Sequence, residues 1–570
     1  MTQISELLTI NLQKYIANFC RRIAYPGSVI SICLCGIHEL GVSREKTLEV
    51  LTVIKSFKPK LMSYIKLFDN VTVIVYAVDK QVFEKDIESG FLGEATAFHL
   101  IFPYTPLLNA EYLTSQEFKL KRRLTLELLE NLVLDFPELS YDIHIKPEYF
   151  MYEAMLDRAR LFPLLHHMLS SFSCGNTAKE NMKKVMKGYV YALTSLEEEK
   201  IIERENGYIK ISKKFIDTVK SRKTNFKNLL KATQKTLFMS FLGLFPNIFK
   251  TLSHSESILS VRQLNTEKLK NTYAFGDPKR FLFIPTANGL ISLSNNITIE
   301  NFAKNLLSAN ANTNVTIKKI GGVLNDVYLV KFSSNGDDRK AVVKTFKDWS
   351  NVKWFSLSIW AFGTRSFALL GRLRLERECA INQLLHKMGF HVPKLLAVNP
   401  NERFVFMEYI EGKSIEKIIK KAANIKNEDI HEEFLEVLKR VGETFAQVHA
   451  LNITLGDTKP ENILVGKNGQ IYLLDLEQSS RGGDKAWDIA EFLYYSGHFV
   501  PPLSGARTAE IIAKAFIQGY LKGGGDIKHV KEAAKAKYTK VFTFFVLPNV
   551  LLAISKVCKR ADQLGLTDDQ

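Results

Sequence analysis

The stretch "ITLGDTKPENILV", residues 453–465, followed by "YLLDLEQ", residues 472–478, decides how the chain is read. An Asp, a Lys and an Asn crowd a segment that Gly456 and Pro460 mark as a loop between two apolar runs. A second acid, Asp475, ends the next strand pattern, eighteen residues after Asp457. Two readings fit. One is a polar turn between two strands. The other is a phosphoryl-transfer centre, in which Asp457 orients an accepting hydroxyl, Lys459 offsets the charge of the moving group, and Asn462 and Asp475 hold Mg²⁺.

The parts such a centre needs occur upstream in order. "IKKIGGVLNDVYLVKF", 317–332, places Gly321 and Gly322 between strand patterns, where a sharp turn lets backbone N–H groups approach ATP phosphates. A turn and the strand "AVVKTF", 341–346, follow, with Lys344 at the strand end. The helix pattern "GRLRLERECAINQLLHK" then carries Glu378, the expected partner of Lys344, with Glu376 as its rival. "RFVFMEYIEG", 403–412, reads as a buried strand leaving through an acidic segment, with Met407 behind an adenine pocket and backbone groups of Glu408 and Ile410 along the adenine edge. Each part alone is weak. Their order and spacing carry the reading.

With these parts in place the chain resembles the protein-kinase-like superfamily over residues 312–500. "GDTKPENIL" is similar to its catalytic loop, and Ala-Val-Val-Lys to the strand whose Lys grips the nucleotide. The resemblance is nearest to atypical members: the RIO kinases, the small kinase of the archaeal KEOPS complex and the aminoglycoside phosphotransferases. Gly456 before the Asp, the "GFHVPKLLAV" step and "GGDKAWDIAEF", where Asp488 would buttress the loop, point that way. The resemblance implies ATP and Mg²⁺ as cofactors and a bilobal kinase-like fold. There are departures. Leu455 replaces the loop His and loses a hydrogen bond, and Glu477 replaces the Gly of the usual Asp-Phe-Gly, which stiffens that turn. Asp488 follows Asp475 by only thirteen positions. That is too short for an activation loop and peptide platform, so control by loop phosphorylation is not expected.

The whole chain is expected to be a multidomain α+β protein. Residues 1–88 form a small α/β module, 89–250 a helical, winged-helix-like region, 251–311 a linker and 312–570 the kinase-like domain. The apolar runs 28–36, 47–54 and 71–78 read as strands. Their order weakly resembles a polymerase-β-type nucleotidyltransferase, with Glu49 and Asp79 as candidate acids. Thr47 stands where another carboxylate would be needed, so the module reads as degenerate. Farther on, the helix pattern into "IIERENGYIKI" has an Asn-Gly turn at 206–207, a hairpin signal. The insertion "DWSNVKWFSLSIWAFGTRSFALLGR", 348–372, is aromatic and basic-flanked. It is read as a packed helix or an interfacial one.

With 77 Lys and Arg against 60 Asp and Glu, the formal net charge is +17, which favours anionic partners. Nucleic acid could follow the basic stretch 213–236, where eight Lys or Arg face one Asp, and peripheral membrane contact is a second option. Six scattered cysteines form no pairwise motif and fit a reducing, cytoplasmic setting. No signal peptide is legible. The run "VFTFFVLPNVLLAIS", 541–555, would span roughly 22 Å as a helix, short of a bilayer core, so the chain is expected to be soluble. The leading expectation is an atypical kinase whose N-terminal module selects substrate or partner. The phosphate acceptor (protein, small molecule or RNA-associated) and the oligomeric state stay open. The alternatives are a nucleic-acid-binding or scaffold protein with a kinase-like ATP switch, and a nucleotidyltransferase acting through Glu49.

Overall fold

The computed structural model describes residues 10–39, 46–68, 71–161, 178–221, 276–295, 301–302, 314–321, 325–334, 337–347, 368, 370–423, 432–501, 505–543 and 545–564. The fold is mixed α and β, in two compact units, Met1–Leu282 and Phe283–Gln570.

The first unit opens with helix α1 (Ile10–Ala24), then strands β1 (Ser28–Glu39), β2 (Lys46–Lys55), β3 (Leu61–Phe68) and β4 (Val71–Asp79), helix α2 (Lys80–Ser89) and strand β5 (Thr105–Leu108). The sheet order is β3-β4-β2-β1-β5, with β2 and β4 parallel and the other pairs antiparallel. Period-two alternation puts Ile32, Leu34, Leu48, Val50, Val73 and Val75 on one face, where they bury Leu12, Ile16 and Cys20 of α1. The three strands expected from apolar runs are present. β3 was not expected, because "LMSYIKLF" is an edge strand whose residues stay half exposed. Cys33 and Cys35 are buried, as small core residues should be.

The register keeps the two candidate acids of this module apart. Glu49 pairs with Ile74 and Asp79 with Ile54, so the two acids lie five residues apart along paired strands, roughly 16 Å. Asp79 instead caps α2, accepting from the N–H of Gln81 at 3.2 Å and of Phe57 at 2.9 Å. These carboxylates do not converge on one ion.

Helix α3 (Ala110–Asp135), strand β6 (His144–Ile145), helices α4 (Glu148–Leu161) and α5 (Ala178–Glu198), strands β7 (Ile202–Glu205) and β8 (Tyr208–Ile211) and helix α6 (Lys213–Ser221) complete the unit. The β7–β8 hairpin turns at Asn206 and Gly207, both with positive φ, and β6 pairs with β8. Of the basic stretch, only 213–221 is described. Residues 222–236, the apolar segment 237–249 and insertion residues 348–367 and 369 lie outside the described residues.

The second unit begins within the stretch expected to be a linker. There β9 (Leu282–Thr286) and β10 (Gly289–Ser292) form a hairpin. Strands β11 (Asn314–Gly321), β12 (Asp326–Ser334) and β13 (Asp337–Thr345), helix α7 (Gly371–Lys387) and strands β14 (Leu395–Asn399) and β15 (Phe404–Glu408) follow. Their sheet runs β11-β12-β13-β15-β14, antiparallel throughout. The hairpin's own sheet order is β10-β9-β6-β8-β7, and its turn also contacts this lobe. Ala287 N–H donates to Leu395 O at 2.9 Å, Asn288 Nδ2 to Leu396 O at 3.0 Å, and Ile291 packs on the core around Val330, Val343 and Phe406. The run "RFLFIP", 280–285, reads as a strand candidate and falls on β9, but the polar sequence around it reads as a linker, because the partners of the turn lie more than a hundred residues away.

The remaining elements are β16 (Gly412–Ser414), α8 (Ile415–Ala423), α9 (Glu432–Ala450), β17 (Ile453–Thr454), β18 (Ile463–Gly466), β19 (Ile471–Leu473), β20 (Ser480–Arg481), α10 (Lys485–His498), α11 (Gly505–Lys522), α12 (Ile527–Ala533), α13 (Ala536–Phe542) and α14 (Pro548–Lys559). They share one large apolar core. Helices α9 and α11 cross closely. A Cβ on Gly442 would lie 2.1 Å from Phe516 O, and one on Gly519 1.9 Å from Lys439 O. The run 541–555 supplies Phe542, Val546, Val550, Leu551 and Ile554 to this core. Among the described residues no helix is long and apolar enough to cross a membrane.

Candidate active site

Lys344 stands at the end of β13, between Val327 of β12 and Val405 of β15. It is 4% exposed, and an ammonium so buried needs counter-charge. Three carboxylates supply it. Glu378 Oε2 lies at 2.8 Å, Asp475 Oδ1 at 2.5 Å and Glu477 Oε2 at 3.0 Å. Burial alone pulls the lysine down, but Asp475, Glu378 and Glu477 raise it more, so it stays well above the usual lysine value and protonated. Of the two acids considered on α7, Glu378 is the one that pairs with Lys344. Burial pushes its carboxyl up, against the pull of the ammonium.

The opening stretch lies between β17 and β18. Its backbone is held from below by the first turns of α10. Asp488, fully buried, accepts the Leu455 N–H at 2.7 Å and the Gly456 N–H at 2.8 Å. Glu491, one turn on, accepts the Thr458 N–H at 2.8 Å, and Thr458 Oγ1 donates to Asp488 O at 2.8 Å. Gly456 has φ of +81°, a conformation that costs a residue with a Cβ. Ser479 Oγ donates to Leu455 O at 2.7 Å, tying the loop to the segment after Asp475.

On this base Lys459 Nζ lies 3.1 Å from Asp457 Oδ1 and 5.4 Å from the centre of the Tyr495 ring. Burial lowers the lysine and Asp457 and Glu491 raise it, with a net upward shift, so its positive charge is secure. Asn462 Nδ2 donates to Asp457 O at 3.1 Å, which leaves the amide oxygen as the atom suited to a cation. The β18–β19 hairpin pairs Ile463 with Leu473, and Leu474 N–H donates to Asn462 O at 2.8 Å, so Asn462 and Asp475 flank one rung. Asp475 has φ of +58°, and its side chain is one-third exposed.

The remaining expected residues are placed less tightly. Gly321 ends β11 opposite Val327, after an irregularity in register, and Gly322 lies outside the described residues. Glu408 ends β15 opposite Ala341. Its N–H is taken by Lys394 O at 2.9 Å, so it can serve an adenine edge only through its carbonyl. Ile410 follows, half-buried.

Several residues at the site were not expected. Glu477 does more than stiffen a turn. It is buried and bonds Arg374 at 3.2 Å, as well as Lys344 and the Asn325 amide. His449, at the end of α9, offers the Asp488 contact that Leu455 cannot, with Nε2 3.1 Å from Asp488 Oδ2 and Nδ1 2.9 Å from the Tyr520 hydroxyl. Among the described residues, Glu378, Asp475 and Glu477 are the acids grouped closely enough to hold a metal ion, and Lys344 Nζ already bonds all three.

This arrangement, with a buried lysine, its helix acid and a buttressed Asp-x-Lys-x-x-Asn loop followed by the Asp after β19, is of the kinase type in its C-terminal region. The lipopolysaccharide kinase (Kdo/WaaP) family matches residues 333–492, from β12 into α10. The KEOPS complex subunit Bud32 of Pyrococcus abyssi is 28% identical over 106 residues, 19% of this chain and 44% of that protein. The serine/threonine-protein kinase cds1 of Schizosaccharomyces pombe is 28% identical over 175 residues, 30% of this chain and 34% of that protein. The chain spans less than half the length of either relative. These matches support an atypical protein-kinase-like superfamily for the C-terminal region.

Proposed function

We propose that the chain is an ATP- and Mg²⁺-dependent phosphotransferase that moves the γ-phosphoryl group of ATP to an acceptor hydroxyl. The observation that carries this reading is Lys344, buried with Glu378 at 2.8 Å and Asp475 at 2.5 Å. Burying one lysine with three acids carries a desolvation cost that stability alone does not repay. A lysine that must hold phosphate in a fixed place accounts for it. Asp475 and the amide oxygen of Asn462 fit an oxygen-ligated divalent cation and would hold Mg²⁺. Bound there, Mg²⁺ supplies positive charge against the phosphate oxygens. Lys344 grips the nucleotide, Asp457 orients the acceptor hydroxyl and takes its proton, and Lys459 neutralises charge on the transferring group.

The acceptor is read as a non-peptide hydroxyl, such as one on a saccharide. Between Asp475 and Asp488 the chain makes one short turn, Leu476–Gln478, and the two-residue β20, then enters α10. No segment of peptide-docking length stands there. The name of the matching family, lipopolysaccharide kinase, agrees with such an acceptor. The N-terminal unit is assigned acceptor or partner recognition. Its α3-to-β8 part has the helix–hairpin order of winged-helix modules, and the separation of Glu49 from Asp79 argues against nucleotidyl transfer.

The test is transfer of label from γ-labelled ATP to saccharide, protein and RNA fractions, or to water. Asp457→Ala should lower transfer at least about a hundredfold while nucleotide binding persists. Full activity in that variant sinks the proposal.

A further inference from the structure

The acids around Lys344 are not equivalent. Glu378 and Glu477 have side chains 1% and 4% exposed, whereas Asp475 is 32% exposed. Under the phosphotransferase reading Asp475 is the acid committed to the cation. Lys344 then still keeps two fixed partners, where a lone Lys–Glu pair would keep one.

Glu477 is also fully used. Its Oε1 takes Arg374 Nη1 at 3.2 Å, while its Oε2 takes Lys344 and the Asn325 amide. Arg374, with no exposed surface, also donates to Asn325 Oδ1 at 2.7 Å and to the carbonyl of Lys347. Asn325, Arg374 and Glu477 therefore close a ring of bonds. It joins the start of β12, helix α7 and the segment after β19. Arg374 and Glu378 are four residues apart on α7, hence on one helix face. Swinging or rotating α7 away must break both of their bonds at once.

We propose that Glu477 is a second fixed anchor of Lys344, sharing with Glu378 the positioning of that lysine against the ATP phosphates. With Arg374 and Asn325 it holds α7 in the nucleotide-competent arrangement without an activation segment. Glu477 is a positioning residue, and the assignment rests on the phosphotransferase reading. If the two acids share the lysine, each partly replaces the other, and removing both costs more than the two single losses combined.

The experiment is a double-mutant cycle on the full chain, with Glu378→Gln, Glu477→Gln and the pair, reading ATP affinity, KM for ATP and kcat. Each single change should raise KM for ATP about tenfold with a smaller effect on kcat, and the pair should raise it well beyond about a hundredfold. Glu477→Gln leaves the buried Arg374 without its carboxylate and risks misfolding. Arg374→Met combined with Glu477→Met removes both buried charges and keeps apolar volume, a replacement that folded proteins tolerate. That variant should keep its unfolding temperature and still show raised KM for ATP. Strictly multiplicative single effects overturn the proposal, as does unchanged KM and kcat in the double-Met variant. Wild-type chain that neither binds nor turns over ATP overturns the phosphotransferase reading, and this assignment with it. Wild-type turnover with an unaltered Glu477→Gln overturns this assignment alone.

Discussion

At the scale of single residues, the opening stretch owes its shape to Asp488 more than to its own side chains. Two backbone N–H groups, of Leu455 and Gly456, point at one buried carboxylate, and His449 meets it from α9. An acid in the first turn of α10 is favoured there by the helix dipole. Asn in its place keeps the size but turns one acceptor oxygen into a donor that faces an N–H. Asp488→Asn should therefore destabilise the chain by about 1–3 kcal/mol and displace Asp457 enough to lower kcat. Thermal unfolding and steady-state kinetics check this. A variant with unchanged unfolding temperature and kcat would show that the loop holds itself.

At the scale of elements, the close crossing of α9 and α11 sets where that loop begins. Gly442 and Gly519 let the two backbones touch, and the His449–Tyr520 bond of 2.9 Å spans the same pair of helices. Gly519→Ala places a methyl against the Lys439 carbonyl, which is backbone and cannot step aside. Such overpacking costs about 1–3 kcal/mol, so the urea midpoint should fall. kcat should fall with it, because α9 carries His449. An unmoved midpoint would mean that the helices have slack. The legibility of the sequence follows the same division. Asp457, Lys459 and Asn462 were readable because one short loop holds them, and Lys344, Glu378 and Asp475 because each ends or lines a clear strand or helix pattern. Arg374, Asn325 and Glu477 were not. Asn325 meets Arg374 49 residues away and Glu477 152 residues away, and nothing local marks either pairing. Strand β3 escaped because half its surface stays wet, which blurs the alternation that betrays buried strands.

At the scale of the whole molecule, the β9–β10 hairpin bears on where the kinase-like unit starts. Sequence pattern alone put that start at residue 312, where strand periodicity resumes. In the structure the hairpin lies earlier in the chain and covers β14 through Ala287 and Asn288, whose donors satisfy the Leu395 and Leu396 carbonyls. β14 is the last strand in the order β11-β12-β13-β15-β14, so without the hairpin it becomes an open edge with unpaired backbone groups. Ile291 would also leave the cluster that holds Val343, next to Lys344 in β13. Chains starting at residue 283 and at residue 312 should therefore differ. The shorter one should be less stable by at least about 1–3 kcal/mol, from two lost hydrogen bonds and the lost apolar contacts of Ile291 and of Phe302, which stacks on Phe406, and more prone to self-association through β14. Urea unfolding of the two fragments and their sedimentation read these effects. Equal midpoints and equal sedimentation would move the boundary back to 312 and reduce the hairpin to a linker after all.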